Sequence, residues 1–431
     1  MNINYLVVKV EKLTDHFIVN RSPFFLFKGV LVLLMVLFTS ACNEKAKRSP
    51  IKGLGDSSVV FEKPDPDNII RFPQAHAPHK SFQQEWWYLT ANLTTENGQS
   101  LATQWTLFRR GVESKHWYFG HAALADTVQH QSAFRSAREE LGNLTISTAP
   151  FNARIDDWQW QSTQELLPAN LQYGNIVSAR VSENMTDAVK QDVKRSLTIG
   201  VPSAASKQLS TYPSKQSSAN QSVTAKTQQW QVNLNLRLDE HLSTNKTELY
   251  FLQGKNGFSK KHRLLDIASH YYSQPFINVT GEVYWQNKWQ KVTGKAWFDR
   301  EWGSQMLADD QQGWDWFSLR LNKETALMVY RIRSNETDYI YGSIMNIDGS
   351  MRTLSEKEIV LKNISTQHLT TNFAYPDLFS IHIASENINI KVNVINKKQI
   401  MHFGIEYFEG MVSFSGSHQG QGFLEMTGYD D

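Results

Sequence analysis

Outside its first 60 residues the 431-residue chain has no cysteine, the sole thiol being that of Cys42. The body therefore has no thiol to offer as a nucleophile. Gly-x-Ser-x-Gly and His-Glu-x-x-His are also absent, which removes the serine-hydrolase elbow and the helical zinc-protease site. His76, His79, His121 and His270 are scattered without ligand spacing, so neither a metal nor another cofactor is expected. Neither sign of charge dominates: 44 basic and 42 acidic residues leave a formal net charge of +2. With no basic stripe, a nucleic-acid partner is not expected. Helical periodicity is nearly missing, with only a weak case near Ala133 to Leu141. What the chain has in quantity is aromatic residues, 12% with 13 Trp, and each Trp brings a large apolar area with one polar handle. The length suits two domains of ~100–200 residues each, and a mean hydropathy of -0.44 fits a soluble body.

The N-terminal segment reads as an address. Lys9, Lys12, Arg21 and Lys28 precede the apolar run 29–38, and Thr39-Ser40-Ala41-Cys42 follows it. That run is shorter than the ~20 residues of a membrane span, and charged, then apolar, then small is the order of a secretory signal. The stretch around Cys42 resembles a bacterial lipobox, which implies removal of 1–41, lipidation of Cys42 and a lipid anchor in the membrane. Asn43, where Asp would favour the inner membrane, points to the outer membrane and a body facing the periplasm. The first 28 residues are long for such a leader, which places the true start downstream. The polar stretch 42–60 is a flexible tether.

From Phe82 the pattern is strand and turn. Glu85, Trp87, Leu89, Ala91 and Leu93 share one face, Asn97-Gly98 marks a hairpin turn, and Leu101, Thr103, Trp105, Leu107 and Arg109 share a face of the return strand. If both faces meet one interior, Glu85 and Arg109 form a buried pair beneath the tryptophans. Further strands are expected at 117–124, 144–147, 153–161, 175–181 and 229–238. Between 182 and 228 the chain is rich in Ser, Thr, Gln, Ala and Lys, a composition that cannot order itself and reads as a mobile insertion. Short strands resume after 246, at 327–333, 339–346, 359–363, 379–383, 388–394, 410–415 and 422–429. The expected fold is all-β, with an N-terminal domain at 61–245 and a C-terminal domain at 246–431, each an antiparallel barrel or sandwich.

The centre of gravity lies in Trp297-Phe298-Asp299-Arg300-Glu301-Trp302-Gly303 and Gly313-Trp314-Asp315-Trp316-Phe317, two strands joined by the polar loop 304–312. Alternation puts Trp297, Asp299 and Glu301 on one side and Phe298, Arg300 and Trp302 on the other. In the second strand Asp315 shares its side with Phe317 and Leu319. A carboxylate on an apolar face is costly unless paired or protonated.

These segments, with Glu85-Trp86-Trp87-Tyr88, His270-Tyr271-Tyr272-Ser273, Tyr407-Phe408-Glu409-Gly410 and Leu424-Glu425-Met426-Thr427-Gly428-Tyr429, resemble the signature segments of the AttH and carotenoid 1,2-hydratase-like family, in order over 60–429. The resemblance implies two lipocalin-like barrels packed together. Members are often labelled secreted hydrolases or attachment-related proteins encoded beside ABC-transporter components, which would make those components partners. One branch hydrates the terminal double bond of acyclic carotenoids, and more distant relatives cyclise polyketides. That branch has His-x-Trp where this chain has Arg300-Glu301-Trp302, and a guanidinium is no general acid.

Two functions from different classes follow. As a carrier, the chain binds an apolar isoprenoid, lipid or polyketide in a Trp-lined cavity, with Glu85, Trp86, Trp87, Arg109, Tyr271, Tyr272, Trp297, Arg300, Trp302, Trp314 and Trp316 around the ligand. As a lyase or isomerase, it protonates a polyene with an acid kept neutral among aromatic faces, the candidates being Asp315, Glu301 and Asp299. A hydrolase, or a scaffold that only locks two barrels together, completes the alternatives.

Overall fold

The computed structural model describes residues 61–112, 114–176, 228–239, 250–370, 373–403 and 405–429. The leader, Cys42, the tether and nearly all of the insertion expected at 182–228 lie outside these residues. Where apolar and polar positions alternate, the chain is extended, because period-two patterning commits one strand face to a core and frees the other to pack elsewhere.

The first sheet begins with β1 (Gln84–Thr95), β2 (Ser100–Val112), β3 (Lys115–Ala125) and β4 (His130–Arg138). It continues with β5 (Leu144–Thr148), β6 (Phe151–Ile155), β7 (Trp158–Ser162), β8 (Ala169–Gly174) and β9 (Gln231–Leu238). Short β10 (Phe251–Leu252) and β11 (Phe258–Lys260) pair with β12 (Ala268–Trp285), which pairs with β13 (Lys288–Gly303). The order β4-β3-β2-β1-β13-β12-β9-β8-β7-β6-β5 curls into a nearly closed barrel.

The second sheet opens with β14 (Gln311–Arg320), β15 (Thr325–Ser334), β16 (Tyr339–Asn346) and β17 (Met351–Leu354). It ends with β18 (Val360–Thr370), β19 (Phe373–Ile383), β20 (Ile388–Val394), β21 (Ile400–Phe403), β22 (Ile405–Gly416) and β23 (Gly420–Thr427). Its order, β17-β16-β15-β14-β23-β22-β20-β19-β18, makes a half-barrel and repeats the logic of the first. In both sheets the first strand lies between the second strand and the last.

Three sequence expectations change. Strands on both sides of 245/246 enter the first sheet, because β13 pairs with β1 over its whole length from Gln84↔Gly303 to Thr95↔Val292. The changeover between sheets therefore falls between Gly303 and Gln311, and the loop there crosses from one sheet to the other. The weak helical pattern at Ala133 to Leu141 is β4 followed by a single 3-10 turn, Glu139–Leu141, since Ala133 and Ala137 face the barrel core while the backbone pairs with β3. The one strand expected at 153–161 is two, β6 and β7, with Asp156 at φ 52° in the turn.

The barrel lumen is solid. Trp87, Trp105, Trp158, Trp160, Trp230 and Trp285 are each at most 1% exposed and pack in one cluster with Leu89, Leu107 and Phe298. A second cluster fills the concave side of the half-barrel around Phe317, Phe379 and Leu424. The third lies between the sheets and draws Tyr88, Tyr271 and Trp297 from one and Trp316, Tyr330 and Phe423 from the other. Polar fasteners cross the same seam. Arg320 donates to the carbonyls of Pro275 and Ala296, Asn92 to that of Gly422, and Asn396 to that of Asp126.

Candidate active site between the two sheets

Directly opposite residues of neighbouring antiparallel strands share a face, so the register assembles the seam row by row. On the first sheet one row runs Tyr271, Glu301, Trp86, Phe108, and the next runs Ser273, Asp299, Tyr88, Thr106, His121. On the second sheet the facing row runs Glu409, Glu425, Trp316, Tyr330, Tyr341. Glu301 stands opposite Trp86 and Glu425 opposite Trp316, the two tryptophans that follow Glu85 and Asp315. Glu301 and Glu425 thus hold equivalent places in the two halves.

Their surroundings differ. Glu301 receives Lys261 Nζ at 2.7 Å and the Ser269 hydroxyl at 2.5 Å, and the Lys261 ammonium also sits over the Tyr330 ring at 4.6 Å. Glu425 accepts only the indole N–H of Trp314, at 2.9 Å, among its hydrogen bonds. Burial pushes its carboxyl up to about 7, and the charges of Glu301 and Asp299 push the same way. Asp299 accepts the Ser273 hydroxyl at 2.5 Å, yet burial raises it to about 7 as well. Glu409 lies directly across the strand pair from Glu425, and burial together with that neighbouring charge lifts it well above the carboxylate range. The Tyr88 hydroxyl donates to Glu409, and Gln104 Nε2 reaches its other oxygen at 3.4 Å. Carboxyls this close and this dry cannot all ionise. At neutral pH the seam is a store of protons inside an aromatic enclosure, with Trp86 and Trp314 half-buried at its edge.

A family model described as AttH-like matches residues 63–183 and 183–429. The chain belongs to the AttH-like family. An AttH-type protein from Nitrosomonas europaea has a similar structure, with a TM-score of 0.65 and 23% identity over 86% of this chain and 100% of that one. Kievitone hydratase from Nectria haematococca is similar with a TM-score of 0.56 and 12% identity, over 87% of this chain and 97% of that one. No protein of curated function matches the sequence. The AttH-like fold is thus common to all three, as two lipocalin-like sheets packed face to face.

Within this AttH-like chain the residues singled out from sequence fall into three places. Asp299, Glu301, Trp86, Tyr271, Trp297, Trp314 and Trp316 meet in the seam. Glu85, Trp87, Arg109, Tyr272, Arg300 and Trp302 lie inside the first barrel. There Glu85 is gripped by Arg109 and Arg300, and the Arg300 guanidinium lies 3.8 Å from the Trp87 ring centre. Against the cost of burial, Arg300, His79 and Arg109 hold the Glu85 carboxyl well below its usual range. The expected Glu85–Arg109 pair is present, and it is a structural plug remote from solvent.

Asp315 does not join Asp299 and Glu301. It faces the half-barrel core, where Arg331 Nη2 and Arg333 Nη1 each approach at 2.5 Å and the Tyr429 hydroxyl at 2.9 Å. A carboxylate gripped by two guanidiniums is a counter-ion, not a proton donor. The same plug therefore appears in both halves, an acid on the first strand answered by arginine on the next.

Sequence reasoning missed Glu409, Glu425, Tyr88, Gln104 and Lys261. Glu425 had a visible signal, since Leu424 and Met426 set the core face and leave it beside Phe423 on the other. Glu409 had the matching one between Phe408 and Gly410. A groove of about 630 Å³ on the outer face of the second sheet, lined by Lys391, Asn393, Ser413 and Gln421, contains no carboxylate and is separate from this chemistry.

Proposed function

We propose that this chain is an acid-catalysed lyase or isomerase of apolar, alkene-bearing molecules of the isoprenoid or polyketide class, working at the seam between its two sheets. One observation carries the reading: Asp299 and Glu409, both buried, and the half-buried Glu425 lie among Tyr88, Tyr271, Trp297, Trp314 and Trp316, and burial raises all three carboxyls toward neutrality or above. Protonating a carbon–carbon double bond needs a neutral acid in a dry site, and the cation it makes is stabilised by aromatic faces by ~2 kcal/mol or more when desolvated. In the first step the O–H bond of Glu425 or Glu409 breaks and a C–H bond forms, leaving a carboxylate beside a carbocation. Capture by water adds C–O, the surplus proton of that water returns to the carboxylate, and the acid is restored. Glu301 is held by Lys261 and the Ser269 hydroxyl and is not the donor in this scheme. That a hydratase shares this fold supports the assignment.

The test is incubation of the purified full chain with acyclic isoprenoid polyenes in H2(18)O, followed by mass spectrometry. Labelled alcohol should form, and Glu425→Gln or Glu409→Gln should slow it by ~10²–10⁴-fold. Undiminished turnover in both variants would sink the assignment. Recovery of an unaltered apolar molecule from the purified chain, with no turnover, would favour carriage instead. Export and lipid attachment at Cys42 belong to the same proposal, and radiolabelled palmitate should enter the wild-type chain but not Cys42→Ser.

A further inference from the structure

Besides Trp297 Nε1, two buried polar atoms in the seam have no hydrogen-bond partner among the described residues: Gln104 Oε1 and Thr106 Oγ1, on residues that are each 1% exposed. Both belong to β2 and are two positions apart, so they point from the same strand face about 7 Å apart along the chain. That face is the seam face. Thr106 lies directly between Tyr88 on β1 and His121 on β3, and Gln104 lies between Thr90 and Ala123. Three neighbouring polar groups are already engaged: the Tyr88 hydroxyl with Glu409, the Gln104 amide nitrogen with Glu409, and the Tyr407 hydroxyl with His121 Nδ1 at 2.8 Å. Burying a hydroxyl and an amide oxygen without partners costs ~1–3 kcal/mol each. A fold that engages the surrounding tyrosines and leaves these two atoms unpaired on one strand face offers a place for an oxygen that can both donate and accept.

We propose that Gln104 and Thr106 form the nucleophile subsite, holding the water that captures the carbocation. This rests on the reading of the seam as an acid site. Gln104 Oε1 accepts one O–H of the water and Thr106 donates its hydroxyl proton to the water oxygen or accepts from it, leaving an oxygen lone pair for carbon. Because the Gln104 amide also touches Glu409, the water lies next to the group that gives and takes back the proton. His121 is the nearest imidazole, and burial lowers it to about 3, so it faces this space uncharged and does not compete for the carboxylate. The aromatic row Phe108, His121, Phe134 and Phe403 closes the outer side.

Thr106→Val and Gln104→Met keep shape and remove the unpartnered atoms. The probe is squalene in detergent micelles with the full chain in D2O. In the wild type, protonation followed by capture gives deuterated alcohol, and protonation followed by proton loss gives deuterium-exchanged alkene. Either variant should cut the alcohol-to-exchanged-alkene ratio at least ~10-fold, and in Thr106→Val, which leaves every hydrogen bond to Glu409 in place, exchange should continue. An unchanged ratio would overturn the subsite while leaving the acid site standing, and loss of exchange in the wild type would count against the acid site. A crystal structure of the full chain supplies the independent check. An ordered oxygen within hydrogen-bond distance of both Gln104 Oε1 and Thr106 Oγ1, absent in Thr106→Val, is expected; a dry seam in the wild type would refute the subsite whatever the substrate proves to be.

Discussion

A carboxyl whose folded pKa is near 7 and whose unfolded value is near 4 resists ionisation only in the native state. For Asp299 and Glu425, both raised to about 7, the native state is therefore unpenalised below about pH 4, loses stability as pH climbs from 4 to 7, and stays penalised above that. Asp299→Asn and Glu425→Gln should each stabilise the fold at pH 8, by up to about 4 kcal/mol for a rise from near 4 to about 7, and so raise Tm there with no such effect at pH 4. Thermal melts at the two pH values decide it. Glu85 behaves oppositely. Its carboxyl is held low by Arg300, His79 and Arg109, so its contribution is present above the ordinary carboxylate range and fades only in strong acid. Glu85→Gln strands two buried guanidiniums and should cost ~3–5 kcal/mol in chemical denaturation at pH 7.

Among the elements, β13 shows most plainly how much was legible. Its alternation was readable, and the structure keeps Trp297, Asp299 and Glu301 on one side and Phe298, Arg300 and Trp302 on the other. What sequence could not supply was which side met which neighbour, because that depends on strands 100 or more residues away, as in the contact of Tyr88 with Glu409. Asp315 was misassigned for the same reason: its apolar face was right, but Arg331 and Arg333 arrive from β15 by cross-strand register. The weak helical pattern near Ala133 formed no helix because alanine spacing is weak evidence beside a ready pairing edge on β3. Two substitutions separate the faces. Phe298→Ala, in the barrel core, should lower stability by ~3–5 kcal/mol, read as a shifted urea midpoint. Ser273→Ala, on the seam, should cost only about 1 kcal/mol. It removes a hydrogen bond that lowers Asp299, so Asp299 stays neutral to higher pH, its charge no longer raises Glu425, and the basic limb of the pH–rate profile should move downward.

For the whole molecule, the sheet changeover has a direct test. Every strand of the first sheet is present by Gly303, whereas a break at 245/246 removes β10, β11, β12 and β13 from it. Co-expressed halves divided within 304–310 should reassociate into a folded pair, and halves divided at 245/246 should not; gel filtration and circular dichroism would distinguish them. The alternation of outward and inward side chains also separates two kinds of mutational freedom. In β13 the odd-numbered positions 297, 299 and 301 border the proposed acid site, while the even-numbered 298, 300 and 302 face the barrel core. A library randomised at the odd positions alone can retune the substrate and keep its scaffold, whereas one randomised at the even positions would yield mostly insoluble protein.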